Sequence, residues 1–462
     1  MLVISSYRSG AIGWAFRGLV AMAVLLAAVA ASGPVQPTAA QEAVGGNRLY
    51  IYNSSSFAGA AFSGTPQVID LEAAAKNVGA GVGVRPHLLL FNNSHSHALL
   101  ANVASGHVMF IDAATRKVVG NIDIGEQAHG AISSPDDRFA IAANQNGKKL
   151  ARIATDYENN VFTHAPANDL DLKALEDAGH PDNAPICPIL FAQSGFNVYV
   201  TLRGGGLFVV DTAATPMKVV KSFTKDEVAP AGCGGAVLGT KMYINSGTAT
   251  SADLYLFDTQ TDTLVQKVPL QSPGTDAHGM ALVNRRYLWM GYRGEGDKVA
   301  IIDTSTNTQV GTVSDVGQAP DLMDVSPAGD LVFVALRGPN NLTGGPSAKG
   351  ATPGLAVLEV KQGGRDGGRK MFVPIGSQAA DSTVDPHAVA VRPGAGPGSP
   401  YEVWVIDQSN RATPVAPAPP ATGTGQANAQ NGSALTVLLA ALALLAAAGA
   451  WRWRIALRNL RS

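Results

Sequence analysis

Ala277-His278-Gly279-Met280-Ala281, followed after a turn and a second apolar strand by Ile301-Ile302-Asp303-Thr304, is one copy of a block that returns seven times in this 462-residue chain. Each copy opens on a small or polar residue, runs through two short apolar strands and ends on an Ile-Asp-like tetrapeptide. Phe110-Ile111-Asp112-Ala113, Val209-Val210-Asp211-Thr212 and Leu256-Phe257-Asp258-Thr259 are further copies. A repeat of roughly 40–45 residues made only of short strands predicts a β-propeller with one four-stranded blade per repeat. The 51 Gly, 27 Pro and 15 % charged residues suit such a turn-rich all-β chain rather than a helical one. A net charge of −1 supplies no general electrostatic pull toward nucleic acid, so no nucleic-acid partner is expected.

Both ends carry export and anchoring patterns that place the body of the chain, before Gly432, outside the cytoplasm. Arg8 and Arg17 precede an apolar run from Leu19 to Ala30, with small residues at Ala28-Val29-Ala30 and Thr38-Ala39-Ala40. This is the pattern of a secretory signal peptide over residues 1–40. Gly432 to Trp451 is almost continuously Ala and Leu, about long enough to span a bilayer as one transmembrane helix. Arg452, Arg454, Arg458 and Arg461 then form a basic tail, 452–462, expected on the cytoplasmic side. Residues 411–431, rich in Pro, Ala, Gly, Thr and Gln, read as a flexible linker. The expectation is an exported propeller, residues 46–410, anchored at the periplasmic or cell-surface face of the cytoplasmic membrane by its C-terminal helix.

Between opening residues the spacings are 42, 58, 46, 45, 43 and 66. The two long ones hold insertions, Tyr157–Pro185 and Pro339–Gly354 with Gly363–Gly368. The first contains a helical-looking run, Asp169–Ala178, and reads as a lid over the channel mouth. Arg48–Val78 supplies later strands without an opening strand, and Pro386–Asp407 an opening strand that runs out early. Joining them would close a ring of seven blades. Second strands such as Tyr199-Val200-Thr201 and Met242-Tyr243-Ile244-Asn245 resemble the YVTN-type propeller repeat over Arg48 to about Asn410. That resemblance implies the fold and leaves function open, because such repeats occur in binding modules, surface proteins, lactonase-like enzymes and redox enzymes.

The residue opening each first strand should lie at the channel mouth, on the face carrying the loops between second and third strands. Around the ring these residues are His87, His129, Cys187, Cys233, His278, Asp321 and His387, drawn from a chain with only nine His and two Cys. Three readings stay open. The histidines could bond backbone at the channel mouth. Cys187 and Cys233, at matching positions of neighbouring blades in an exported chain, could form a disulfide. Or the set could bind copper or zinc, which imidazole and thiolate suit. Nitrous-oxide reductases and the selenium-binding, methanethiol-oxidase-like propellers resemble this chain in architecture and channel histidines; two cysteines and the lack of a cupredoxin-like domain set it apart. No Cys-x-x-Cys-His occurs, so c-type haem is not expected.

Arg203-Gly204, Arg293-Gly294 and Arg337-Gly338 end second strands at the same mouth, and could hold an oxyanion or pair with acidic residues such as Asp276 or Glu295. His95-Ser96-His97 reads as an exposed turn on the opposite face. No Gly-x-Ser-x-Gly elbow or phosphate loop is present. The first functional reading is therefore a membrane-anchored propeller that binds a small ligand or protein partner on its channel-mouth face. The alternative is a periplasmic copper or zinc protein, a redox enzyme or metal carrier. A lactonase-like hydrolase is more remote. The residues do not decide whether the chain is an enzyme.

Overall fold

An aspartate that ends a strand and accepts bonds from the amides just beyond it closes a turn by itself. This is what the Ile-Asp signature does. Asp112 Oδ1 accepts from Thr115 N at 2.6 Å, Asp258 Oδ1 from Gln260 N at 2.8 Å, and Asp303 Oδ1 from Ser305 N at 2.9 Å. The next residue ties that turn to its own blade. The Thr259 and Thr304 hydroxyls donate to the carbonyls of Thr240 and Arg286, just before the second strand, at 3.1 and 2.7 Å.

These turns organise a seven-bladed β-propeller, seen in a computed structural model that describes residues 47–408 apart from 79–84, 193–194, 231, 272–273, 295–297, 342, 344–347, 377–382 and 395–399. Six blades are continuous in sequence, with inner strands at Pro86–Phe91, Ala128–Ser133, Pro185–Phe191, Gly235–Leu238, Ala277–Val283 and Pro320–Val325. The seventh is shared by both ends of the domain. Pro386–Arg392 and Glu402–Asp407 form its inner half, Arg48–Asn53 and Gln67–Asp70 its outer half. Arg48 pairs with Asp407 and Asn53 with Glu402 across the junction. Val405-Ile406-Asp407 thus lies in a second strand and starts no eighth blade.

The apolar faces of neighbouring blades pack against each other. Trp289, Ile301 and Val299 of blade 5 meet Val332, Val334 and Leu358 of blade 6, and the Trp289 indole donates to the Gly364 carbonyl at 2.8 Å. Phe333 and Val357 of blade 6 meet Tyr50 and Val405 of blade 7. Each such side chain stabilises the fold by about 1.5–3 kcal/mol when buried.

The Tyr157–Pro185 insertion departs from expectation in two ways. Where a helix was expected it has two short 3-10 turns, Pro166–Asn168 and Lys173–Leu175. Its first part is the blade's own outer strand, Val161–His164, and Leu170–Asp171 pairs with the third strand. Propagating a helix over so few residues cannot compete with pairing to an open sheet edge. His164 fastens the segment. Its Nδ1–H donates to the Asp123 carbonyl of blade 1 and its Nε2–H to Asp169 Oδ1, both at 2.9 Å. The bond to the Asp169 carboxylate raises the imidazole above its ordinary value, with the Asp123 carbonyl and both acidic charges adding to the effect against the opposing influence of burial. His95-Ser96-His97 is no exposed turn either. His97 is buried, with Nε2 2.7 Å from Asn160 Oδ1 and Nδ1 2.9 Å from Ser96 Oγ.

A raised folded-state value stabilises the clasp most fully below the unfolded histidine's pKa, and this contribution fades as pH rises through the folded value. Limited proteolysis within residues 157–185 should therefore accelerate from about pH 6 to pH 9. His164→Gln should cleave faster throughout, with the pH dependence gone.

Candidate channel site

Inner strands that only alternated would point every second side chain into a blade interface. Six of the seven avoid this with a β-bulge at the ring residue. The register slips between Pro86 and Leu88, Ala128 and Ala131, Pro185 and Ile189, Ala277 and Met280, Pro320 and Met323, and Pro386 and Val389. A bulge leaves its extra residue unpaired and re-aims the side chain. Where a glycine follows the ring residue, as after Cys233 and His278, it allows neighbouring strands to approach. A Cβ on Gly279 would lie 2.1 Å from the Asp321 carbonyl oxygen, and one on Gly234 would lie 2.0 Å from that of His278. Asn245 then joins blades 4 and 5, accepting from the Cys233 and Gly234 amides and donating to the His278 carbonyl.

All seven ring side chains meet at the channel. Cys187 and Cys233 form a disulfide, with Cα atoms 4.3 Å apart, so the pair offers no thiolates in this state. Cys187 Sγ is 3.5 Å from His129 Nδ1. The His129 and His87 ring centroids are 4.1 Å apart, and His87 Nε2 faces His387 Nε2 at 3.3 Å. His387 Nδ1 is 2.8 Å from Asp321 Oδ2, and Asp321 Oδ1 is 3.2 Å from His278 Nε2. Blades 5, 6, 7, 1 and 2 therefore contribute an arc of four imidazoles and one carboxylate, which the disulfide of blades 3 and 4 flanks.

Second contacts set the proton positions. The Gln408 amide nitrogen donates to the Pro86 carbonyl at 2.7 Å and lies 3.4 Å from His87 Nδ1. This makes His87 Nδ1 an acceptor and places its proton on Nε2, facing His387. The Asp321 carboxylate in turn holds the His387 proton on Nδ1. His278 is different: neither ring nitrogen has a well-aligned hydrogen-bond partner among the described residues, although the ring is 4 % exposed. Its Nε2 lies near Asp321 Oδ1 without the alignment of a bond.

Burial dominates the electrostatics. It pushes His87 and His278 well below the ordinary imidazole value and His129 down to about 3; the neighbouring cations and rings push the same way. His387 is lowered too, because burial outweighs the opposing Asp321 charge. Burial is also the largest influence on Asp321 and would raise it, but His387, His278, Arg293 and Arg337 together hold it well below the ordinary carboxylate value. The four rings are neutral bases around an ionised carboxylate.

The three candidate arginines separate. Arg337 is fully buried; it bonds Asp385 twice, at 2.7 and 2.6 Å, Asp321 Oδ2 at 2.8 Å, and the Thr343 carbonyl at 2.9 Å. It does not line the mouth cavity, so it serves as a buried strut rather than a ligand contact. Arg293 bonds Asp276 at 2.9 and 3.1 Å within its own blade, and exposed Arg203 bonds Asp182 at 2.6 Å. Both line a cavity of about 580 Å³ on the expected face, together with His87, His129, His278 and Arg85. The insertion contributes no lining residue; its Asp182 reaches the cavity only through Arg203. Below the ring, Leu88, Met280, Leu322 and the disulfide border an apolar pocket of about 100 Å³.

The sequence reading missed Arg85 and Asp385, and named Asp276 only as one possible acidic partner of the arginines, a pairing that Arg293 makes. Each stands two residues before a ring histidine, in Arg85-Pro86-His87, Asp276-Ala277-His278 and Asp385-Pro386-His387. That repeated charged residue was the available signal.

No protein-family model and no curated relative matches the chain. Among solved structures, it is similar to a chain of a crystal structure of the mitotic checkpoint complex. The two share 13 % identity, with 70 % of this chain and 91 % of that one covered and a TM-score of 0.48.

Removing one member of a buried ion network leaves its partners charged and unpaired. Arg337→Met should therefore cost about 3–5 kcal/mol in denaturant unfolding. Arg203→Met, on an exposed pair, should cost under about 1 kcal/mol.

Proposed function

We propose that this chain is an exported, membrane-tethered propeller of the YVTN-repeat type that binds copper or zinc at the channel. His278, His387 and Asp321, whose donor atoms lie within 4.8 Å of one another, would form the core of the site, with His87, which faces His387 at 3.3 Å, and His129 beside it as further imidazole donors. The metal would be presented to a small ligand or protein partner at the mouth cavity. The observation carrying this reading is the buried His278 ring, whose two nitrogens lack aligned hydrogen-bond partners among the described residues. Leaving one such group unpaired costs about 1–3 kcal/mol, a cost that ligation removes.

Charge supports the same reading. In the buried network around the rings, the guanidinium groups of Arg293 and Arg337 face the carboxylates of Asp276, Asp321 and Asp385, while the imidazoles are neutral. Neutral imidazoles are the ligating form and suit copper or zinc. The Asp321 contact to His387 Nδ1 is the kind of support that orients a metal-bound histidine through its other nitrogen. Because His87 carries its proton on Nε2, binding there requires that proton to move or leave.

Ligand binding at the mouth has support of its own. Among the described residues, the Arg85 guanidinium bordering the cavity makes no hydrogen bond or ion pair, so it is available to an anionic group. Export and tethering rest on residues 1–40 and 411–462, which lie outside the described residues. Among those that are described, no helix is long and apolar enough to cross a membrane.

Purified full-length protein, loaded with copper(II) or zinc(II) and desalted, should retain one ion per chain by elemental analysis. His87→Ala and His387→Ala should reduce that at least tenfold, while His95→Ala should not change it. Absence of stoichiometric metal in the loaded native protein would refute the reading.

A further inference from the structure

His129 and His87 have a second set of neighbours. One donor atom from each of His87, His129, Cys187 and Cys233 lies within 4.8 Å of the others. Cys187 and Cys233 are 1 % and 4 % exposed, and His129 is half-buried at the cavity wall. Four donors around tetrahedral zinc, with Zn–S near 2.3 Å and Zn–N near 2.0–2.1 Å, stand roughly 3.3–3.8 Å apart. The Cys187 Sγ to His129 Nδ1 distance of 3.5 Å is already in that range.

We propose that the Cys187–Cys233 disulfide is the oxidised form of a second metal site: its reduction by a dithiol frees a Cys₂His₂ set for a thiophilic ion, zinc(II) or copper(I). The exchange balances. One sulfur–sulfur bond of the protein breaks and one forms in the reductant, two electrons pass to the protein, and two protons move from the dithiol to the cysteines. Binding the ion then releases both thiol protons. Sulfur adds soft donors and two negative charges, shifting preference toward thiophilic ions. The two modes share His87 and His129, so one ion is held either by the imidazole arc or by the thiolates. The inference rests on the metal reading above for those two imidazoles, but its sulfur donors are separate.

The test uses the full-length protein, stripped of metal. One portion is left oxidised; the other is treated with dithiothreitol under native conditions and desalted without oxygen. Both are titrated with cobalt(II). The reduced protein should show two free thiols and bind one cobalt with intense thiolate-to-cobalt bands in the near ultraviolet; zinc should displace it at least 100-fold more tightly than from the oxidised protein. The oxidised protein should lack those bands. So should a Cys187→Ser/Cys233→Ser variant, whose folding is checked by circular dichroism. Two thiols without the bands, or no thiols after native treatment, would overturn the inference while leaving the imidazole site standing. The bands in reduced protein, with neither cobalt nor, in the loading experiment above, copper or zinc held by oxidised protein, would support the inference and refute the imidazole site.

Discussion

The strand Arg48–Asn53, laid antiparallel on Glu402–Asp407, is the constraint on which the channel depends. With this pairing, seven inner strands must surround one axis; without it the seventh sheet keeps two strands and blade 7 an open edge. Side chains 300 residues apart, His87 and His387, then face each other at 3.3 Å. Circular closure brings them together at little local cost, because each blade carries its own turns and its own interface packing.

Around that axis, charge does more than position. Arg337 is completely enclosed yet holds Asp321 and Asp385 together, and Asp321 holds His387. A buried arrangement of this kind is expensive to desolvate, and replacing it with apolar residues is often neutral or stabilising. Its presence at the channel, rather than in the interfaces between blades, fits a role in fixing ring nitrogens at set tautomers. The apolar pocket below and the polar cavity above divide the channel into a dry half and a wet half, with the imidazoles at the boundary.

Much of this was legible in the amino-acid sequence. The Ile-Asp signature marks a turn whose chemistry is local, so Asp112, Asp258 and Asp303 announce it without tertiary help. The ring positions followed from spacing, because each repeat contributes one opening residue. The bulges were not legible: which residue stays unpaired depends on the partner strand. Nor was the split among the arginines, since Arg203 and Arg337 both precede a glycine and differ only in what lies across from them. The helix expected in the insertion failed because Leu170–Asp171 found a strand to pair with, and His95-Ser96-His97 failed as an exposed turn because Asn160 covers His97.

The bulged inner strands also bear on how such a protein can change over evolutionary time. Each bulge isolates a single side chain at the axis from the residues that glue one sheet to the next. Mutation at any of the six bulged positions can thus alter axial chemistry while the sheet interfaces remain as they were. A scaffold of this type can exchange histidine, cysteine and aspartate around its centre much as a lock exchanges pins, with the barrel left untouched.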